Sequence, residues 1–258
     1  MKRIIITLLL LTMGISSLGI GCSSKNSSST SSKNSNELST SNDNSLSEDL
    51  SNNEKIDGDF IWEDGKYIAG LSEEGQKKEN IIIPANCEGI LLSIVALANG
   101  FNSNYNIKSI SFESEEITEL PNSFLLNDSN LESIELPKKL ESIPNNFAAN
   151  CSSIKNIEIP DTVKEIGKKA FSNTSIEEMK IPEGVTTVEE AIFMFTPIKK
   201  LYLPESLNKI DNNFLRDIDN LDENGKKLYD LEVYVKEGSY ADQHFSDYSN
   251  SSTIKKYY

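Results

Sequence analysis

The segment Ile154–Ser172, which reads IKNIEIPDTVKEIGKKAFS, is one copy of a frame that recurs along this chain. Each copy opens with an aliphatic residue and places apolar residues at its fourth and sixth positions, usually followed by proline. The five clearest copies, spaced 22 to 24 residues apart, begin at Ile107, Leu131, Ile154, Ile176 and Ile198. A fixed period of this length is typical of a solenoid, because one unit of this size cannot bury its own apolar face.

The rest of each unit predicts the course of one coil. Apolar residues that alternate with polar ones predict a short strand, and proline ends the strand because its nitrogen cannot donate to a sheet ladder. Two aliphatic residues and a phenylalanine follow; in the quoted copy they are Val163, Ile166 and Phe171. We therefore expect a strand, a corner, a second short extended piece and a tight helical or irregular return.

This repeat resembles the BspA-like leucine-rich repeats of bacterial surface proteins, whose pattern L-x-x-I-x-I-P-x-x-V-x-x-I-x-x-x-A-F is matched best by Ile154–Ser172. The resemblance runs from about Lys78, which opens an atypical first coil, to about Tyr240. A last strand is expected at Leu228–Val233. The resemblance implies a β-rich α/β solenoid: a right-handed leucine-rich-repeat superhelix of about seven coils with short strands and short helical or irregular returns.

Residues 1–21 are predicted to be a lipoprotein signal peptide. Lys2 and Arg3 precede an apolar run, as in secretory signals. The Leu18–Cys22 stretch resembles a bacterial lipobox, which implies that Cys22 carries a lipid anchor. An uncleaved membrane helix is the alternative, although the run is short for a membrane span.

Residues 22–55 are rich in serine and asparagine and are predicted to be a disordered linker, because they contain too little apolar surface to fold. Residues 56–258 are predicted to be the repeat domain. Its N-terminal cap is a hairpin of Phe60–Trp62 and Lys66–Gly70, which turns at Asp64-Gly65. The sequence thus predicts a tethered domain held away from a membrane by a flexible spacer.

Charge and cysteine content exclude some partners and bonds. The net charge is −15, and an acidic domain repels nucleic-acid phosphates, so we expect no nucleic-acid partner. Cys87 and Cys151 fall about three repeats apart, which is too far for a disulfide in a stack of coils about 4.8 Å apart. Cys151 is expected to be a small, buried corner residue.

The sequence contains no recognisable catalytic or cofactor motif. His244 is the single histidine, so neither a serine–histidine–aspartate arrangement nor a zinc site built on several histidines is indicated. No glycine-rich phosphate loop is present. We expect no cofactor and no enzymatic activity, with an envelope hydrolase as the least favoured alternative.

One polar stretch fits a calcium-binding loop in part. Asn220, Asp222, Asn224 and Glu232 occupy several of its twelve positions, but asparagine stands first and no amphipathic helix flanks the stretch. The repeat frame instead puts Glu232 on the exposed face of the last strand. We therefore favour a structural loop over a calcium site.

The polar positions in the first strand of each repeat unit form the candidate binding surface. Side chains alternate across a strand, so stacked coils align these positions in columns. One predicted column is Lys108, Glu132, Lys155, Glu177, Lys199 and Tyr229; the second is Ser111, Glu135, Glu158, Lys180, Tyr202 and Glu232. The alternating charges fit cross-strand ion pairs on a solvated face. Tyr202 and Tyr229 alternatively fit aromatic anchors of a binding site.

Together these features predict a lipid-anchored extracytoplasmic protein of the bacterial envelope that binds a protein or polysaccharide ligand at the cell surface. A monomer is assumed. The alternative is a cell-envelope spacer or scaffold without a dedicated ligand. Because these two hypotheses share one fold, only the polar face of the first strands distinguishes them.

Overall fold

A computed structural model of the chain describes residues 54–91, 106–218 and 226–258. They form a β-solenoid of about eight turns with little helix, one turn more than predicted. The predicted signal peptide, Cys22 and nearly all of the linker lie outside the described residues.

In the described residues the strands are short, and helix is confined to two four-residue segments near the C-terminus and a 3₁₀ turn at Gly75–Lys77. In chain order the elements are β1 (Glu54–Asp57), β2 (Phe60–Glu63), β3 (Tyr67–Leu71), β4 (Asn80–Ile83), β5 (Gly89–Ile90), β6 (Ser109–Phe112), β7 (Ser133–Ile134), β8 (Ser142–Ile143), β9 (Glu165–Ile166), β10 (Glu178–Lys180), β11 (Thr187–Val188), β12 (Lys200–Tyr202), β13 (Lys209–Ile210), β14 (Leu231–Val235), α1 (Tyr240–Gln243), α2 (Phe245–Tyr248) and β15 (Thr253–Tyr257).

The N-terminal end is covered by a small sheet of order β1-β2-β3-β5. β2 and β3 pair antiparallel, and the turn between them places Asp64 and Gly65 at positive φ, 53° and 66°. Trp62 is buried, and its indole nitrogen donates to the carbonyl of Asp57 at 3.3 Å. Trp62 therefore closes the apolar stack instead of offering a ring to a ligand.

The first side of the solenoid contains parallel strands in the register that the repeat predicts. Its sheets have the orders β4-β6-β7 and β10-β12-β14-β15. Ile110 pairs with Ile81 on one side and Ile134 on the other, and Met179 pairs with Leu201. Buried apolar residues thus lie directly above one another, as the burial of a continuous apolar core requires.

The last predicted register is wrong by two residues. Leu201 pairs with Val233, not with Leu231. β14 carries three inward apolar residues at a spacing of two, so a shift by two keeps the same face buried and the sequence pattern accepts either register.

The other two sides of the central coils are also joined by backbone hydrogen bonds. On the second side the strands lie in the order β13-β11-β9-β8, with Ile143, Ile166, Val188 and Ile210 in register. On the third side the returns pair directly: the amide of Ala148 donates to Ala170 and that of Phe171 to Ile192, at 2.8 and 2.9 Å. Between residues 106 and 218 the returns are turns and contain no helix.

Each return uses residues in the left-handed backbone region, and one of them is unusual. Asn127, Asn150 and Asn173 have φ of 70°, 65° and 53°, and their side-chain amides bond to one another at 2.7 and 3.0 Å. Asparagine tolerates this conformation well. Phe195 takes the next position at φ 57° with 54% of its surface exposed. It therefore combines backbone strain with an exposed ring.

The core contains a column of fully buried phenylalanines at the end of each unit. Consecutive ring centroids lie 5.9 to 6.4 Å apart along the column of Phe124, Phe147, Phe171, Phe193 and Phe214. Cys87 and Cys151 are free and buried, and the thiol of Cys151 donates to the carbonyl of Leu125 at 3.0 Å. Cys151 is therefore a corner residue of the stack.

β15 forms the additional, eighth turn at the C-terminal end. It pairs parallel with β14, which places Lys255 in register with the buried Val233. The Lys255 ammonium lies 2.8 Å from Asp242 and 5.1 Å from the ring centroid of Phe245. The hydrogen bond from Lys255 lowers the pKa of Asp242, with help from the amide of Gly238. An inward-pointing charge of this kind protects an edge strand from pairing with another chain.

Asp128 is a buried carboxyl group at one corner. Its Oδ2 atom has no hydrogen-bond partner, and burial raises its pKa to about 6, although the amides of Asn130 and Leu131 oppose the shift. In the next coil Cys151 takes the corresponding corner, and its thiol has a pKa raised by burial and by the charge of Asp128. Ionised Asp128 therefore destabilises the fold at neutral pH.

We expect Asp128→Asn to stabilise the domain at neutral pH by up to about 3 kcal/mol. Between pH 3.8 and about 6 the folded protein binds more protons than the unfolded chain at this site, so its contribution to stability falls as pH rises through that window. Urea unfolding of both proteins at several pH values would measure the difference in their free energies of unfolding. The gain from the substitution should grow from pH 4 to 6 and then level off; a gain independent of pH would contradict the assignment.

Candidate functional site on the outer face of the first sheet

The solvent side of the strands on the first side of the solenoid forms a surface that we call the outer face. Two outward columns flank the central buried residue of each strand. One column contains Asn80, Ser109, Ser133, Asn156, Glu178, Lys200, Glu232 and Ile254; the other contains Ile82, Ser111, Glu135, Glu158, Lys180, Tyr202, Tyr234 and Lys256. Because β14 is shifted, Tyr234 takes the place predicted for Glu232.

The column through Glu178, Lys200 and Glu232 was missing from the sequence prediction. The predicted column through Lys155 and Lys199 instead lies one residue ahead of the strands, at the corner. The signal was available: residues on both sides of a buried strand residue face outward. Residue 229, predicted for the corner column, precedes β14 and is not in register with Lys199.

One predicted cross-coil ion pair, Lys199–Glu177, forms at the corner, and Lys108 pairs instead with Glu79, which was outside the predicted column. Lys199 lies 2.8 Å from Glu177, and Lys108 lies 3.0 Å from Glu79 of the preceding coil. All four side chains keep about half of their surface exposed, so each pair contributes little to stability. Lys155, between Glu132 and Glu177, has no ion pair within the described part of the chain.

An aromatic cluster occupies the C-terminal end of the outer face. The rings of Tyr202 and Tyr234 stack with centroids 4.4 Å apart and an interplanar angle of 15°. The Tyr234 hydroxyl donates to Glu232 at 2.9 Å, and that hydrogen bond raises the pKa of Tyr234. The Lys199 ammonium lies 5.9 Å from the ring centroid of Tyr229. Tyr202 and Tyr229 are therefore half-buried members of a tyrosine–lysine cluster.

The fourth coil interrupts the first sheet. Its segment Ile154–Pro160 is not a strand, and β7 and β10 on either side have no partner across it. Within the described residues, no backbone hydrogen bond joins Lys155–Ile159 to either neighbouring coil. On its other two sides this coil is fully joined, through β9 and through the return at Ala170. We call this interruption the coil 4 opening.

Three grooves of about 730, 580 and 400 Å³ meet at the coil 4 opening, and Asn156 lines all of them. The charged residues along these grooves are Glu132, Glu135, Lys138, Lys155, Glu158, Asp161, Glu177, Glu178, Lys180 and Glu183. Six of the predicted face residues, Glu132, Glu135, Lys155, Glu158, Glu177 and Lys180, are thus brought together here. Lys199, Tyr202 and Tyr229 lie in or beside the aromatic cluster.

Several charges at the coil 4 opening have no ion-pair partner among the described residues. Glu135, Lys155, Glu158 and Lys180 are exposed and form no ion pair, unlike Lys199 and Glu177 beside them. The backbone amides and carbonyls of Lys155–Ile159 likewise form no hydrogen bond with the rest of the described chain. Backbone groups need a hydrogen-bond partner, so these are directed to water or to a ligand.

Other candidate sites have little support in the described residues. No group of three or more His, Cys, Asp or Glu residues there could hold a metal ion. Asn220, Asp222 and Asn224 of the weak calcium loop lie outside the described residues, while Glu232 also contacts Lys256 at 3.8 Å. His244 pairs with Asp247 at 2.9 Å and stacks on Tyr240. None of the helices in residues 54–91, 106–218 and 226–258 has the length and apolar content of a membrane span.

Sequence comparison identifies the repeat. A sequence model described as "BspA type Leucine rich repeat region" matches residues 76–163 and 118–225 in six copies. A search of the curated proteins found no match.

Solved structures resemble the fold at low sequence identity. The pneumococcal vaccine antigen PcpA has a TM-score of 0.52 and 18% identity over 76% of this chain and 46% of its own. A leucine-rich cell surface protein of Faecalibacterium prausnitzii gives 0.48 and 18% over 72% of this chain and 65% of its own, and a leucine-rich repeat protein of Bacteroides ovatus gives 0.46 and 17% over 79% and 67%. This chain thus spans about half to two thirds of the length of these proteins, and the likeness concerns the fold alone.

Proposed function

This chain belongs to the BspA-type leucine-rich-repeat family, and we propose that it is a lipid-anchored, extracytoplasmic binding module for a protein or polysaccharide at the bacterial cell surface. The proposed binding surface is the outer face of the first sheet. It acts by recognition and without catalysis. Solved proteins of similar fold are described as a cell surface protein and as a vaccine antigen, which supports the surface location.

The coil 4 opening is the observation that carries this proposal. A solenoid that serves only as a spacer needs no interruption in the sheet on its first side. Here the break leaves hydrogen-bonding backbone at Lys155–Ile159 and places unpaired charges of both signs around it. Concave sites with a few converging polar groups are the usual form of ligand sites in proteins.

The proposal of a lipid anchor rests on the amino-acid sequence alone. Acylation at Cys22 and a spacer over residues 22–55 would hold the domain above the membrane with the outer face free to meet a ligand. The spacer or scaffold function is favoured by the ion pairs at the corner, such as Lys199–Glu177, which neutralise part of the face. It does not account for the coil 4 opening.

We expect Glu158→Lys or Tyr202→Ala to reduce attachment by at least about tenfold in cells that display the whole chain, because each removes a contact from the centre or the aromatic end of the face. Attachment would be counted on the surfaces that the organism meets. Glu165→Lys is the matched control, since Glu165 is exposed on the second side of the same coil. Undiminished attachment by both variants, with the domain folded, would favour the spacer.

In the same cells Cys22→Ala should release the chain to the medium, because the lipid anchor is lost. Retention of the variant in the membrane would favour an uncleaved membrane helix.

A further inference from the structure

We infer that the ligand of the coil 4 opening is an amine-bearing oligosaccharide, such as a chain of glucosamine units. The inference rests on the proposed function, since it names the ligand class of the same face. It is carried by three properties of the opening: its charge, its hydrogen-bonding groups and its lack of an apolar anchor.

The charge of the opening selects against anions. Seven acidic residues and three lysines line the three grooves. Glu135 and Glu158 flank the break without an ion pair among the described residues, and so do Lys155 and Lys180. Glu177 is engaged by Lys199, which lies outside the grooves, so six acids without an ion pair among the described residues face three such lysines. An excess of unpaired carboxylates attracts ammonium groups and repels uronic acids, sulfates and phosphates.

The hydrogen-bonding groups of the opening suit sugar hydroxyls. Asn156 supplies an amide that both donates and accepts, and it reaches all three grooves. The backbone of Lys155–Ile159 adds donors and acceptors in alternation. Each sugar hydroxyl is itself a donor and an acceptor, so a row of hydroxyls can satisfy such a surface, and an amine can bind Glu135 or Glu158 through charge-assisted hydrogen bonds.

A protein partner fits this part of the face less well. Protein interfaces depend on a buried aromatic or large apolar anchor. At the opening Ile134 and Ile157 are buried in the core, and Leu136 and Ile159 are half-buried. The nearest aromatic side chains on the face, Tyr202 and Tyr234, lie beyond Lys180, and their stacking covers one face of each ring. The three grooves, which meet at Asn156, therefore offer mainly polar contacts to a glycan chain.

The test uses cells that display the whole chain and three fluorescent hexasaccharides: a glucosamine hexamer, neutral cellohexaose and anionic hexagalacturonate. Binding is measured by flow cytometry at mildly acidic pH, where amines are charged and carboxylates are ionised. We expect affinity to fall in that order. Asn156→Ala and Glu158→Gln should weaken binding of the glucosamine hexamer at least about tenfold. The matched controls Asn208→Ala and Glu165→Gln, at exposed sites on the second side, should leave it unchanged.

Three results would overturn the inference: no binding of the glucosamine hexamer, equal binding of hexagalacturonate, or equal losses in the control variants. Attachment of the cells separates this failure from failure of the proposed function. If attachment persists with Glu158→Gln and is lost with Tyr202→Ala, a protein docks at the aromatic cluster and the proposed function stands without the sugar. If the cells neither attach to a surface nor bind a hexasaccharide, both proposals fail.

Discussion

Replacing Phe171 with alanine is expected to lower the free energy of unfolding by about 3–5 kcal/mol. Its ring is fully buried between two others, with centroids 6.4 Å from Phe147 and 5.9 Å from Phe193. The substitution would leave a cavity in the middle of the phenylalanine column, where backbone joined on the second and third sides of the coil limits collapse. Denaturant unfolding should show a lower midpoint with an unchanged slope.

Phe195 supplies the matched control for this experiment. It lies at the return of the next coil, exposed and at φ 57°. Phe195→Asn removes an aromatic ring without opening a cavity and introduces a residue that tolerates the left-handed region, so we expect stability to be unchanged or raised by up to about 1 kcal/mol. Equal losses at Phe171 and Phe195 would show that the phenylalanine column is not the main source of stability.

Replacing Gly184 with alanine is expected to cost about 3 kcal/mol or more, through overlap and not through a cavity. A Cβ atom built on Gly184 would overlap the carbonyl oxygen of Asp161 and lie 2.7 Å from its carbonyl carbon and 2.9 Å from the oxygen of Val163. These are backbone atoms of the preceding coil, so no rotamer change relieves the contact. Thermal or urea unfolding would measure the loss.

Ser206 is the matched control in the following coil, because it takes the same place after its proline. Ser206→Ala keeps the Cβ atom and removes only the hydroxyl, which donates to the carbonyl of Val185 at 2.6 Å. Its loss should be about 1 kcal/mol. A Gly184→Ala variant as stable as Ser206→Ala would mean that the coils separate easily at this corner.

The sequence was sufficient to predict the stack because buried apolar residues recur at fixed positions. Ile81, Ile110 and Ile134 lie in register on the first side, and Ile143 and Ile166 on the second, as their place in the repeat predicts. A one-residue slip would expose a whole column, so the pattern leaves one solution in these coils.

The repeat pattern does not predict the register of β14 or the existence of β15. β14 accepts a shift of two residues, since Leu231, Val233 and Val235 are equivalent in burial. β15 was not predicted because its inward positions include Lys255 in place of an aliphatic residue. A strand that ends a stack exposes its edge to water and to other chains, and polar residues there prevent unwanted pairing. Those polar residues also replace the apolar pattern by which a strand is recognised in a sequence.

The candidate site was predicted in composition but not in shape. Glu135, Glu158 and Lys180 were predicted as outward residues of one face, yet the sequence of coil 4 follows the repeat as well as any other copy. Nothing in Ile154–Pro160 indicates that its backbone leaves the sheet. The interruption depends on how three coils fit together, which a pattern within one coil does not contain.

Lys255 at the C-terminal end of the stack limits where a repeat can be added to the domain. A duplicated unit of 22 to 24 residues inserted between the coils of Leu131 and Ile198 would find matching apolar columns above and below it. The same unit placed after β15 would meet Thr253, Lys255 and Tyr257 in place of those columns, with the ammonium already held by Asp242. Growth and loss of repeats are therefore expected in the interior of the solenoid and not beyond its C-terminal strand.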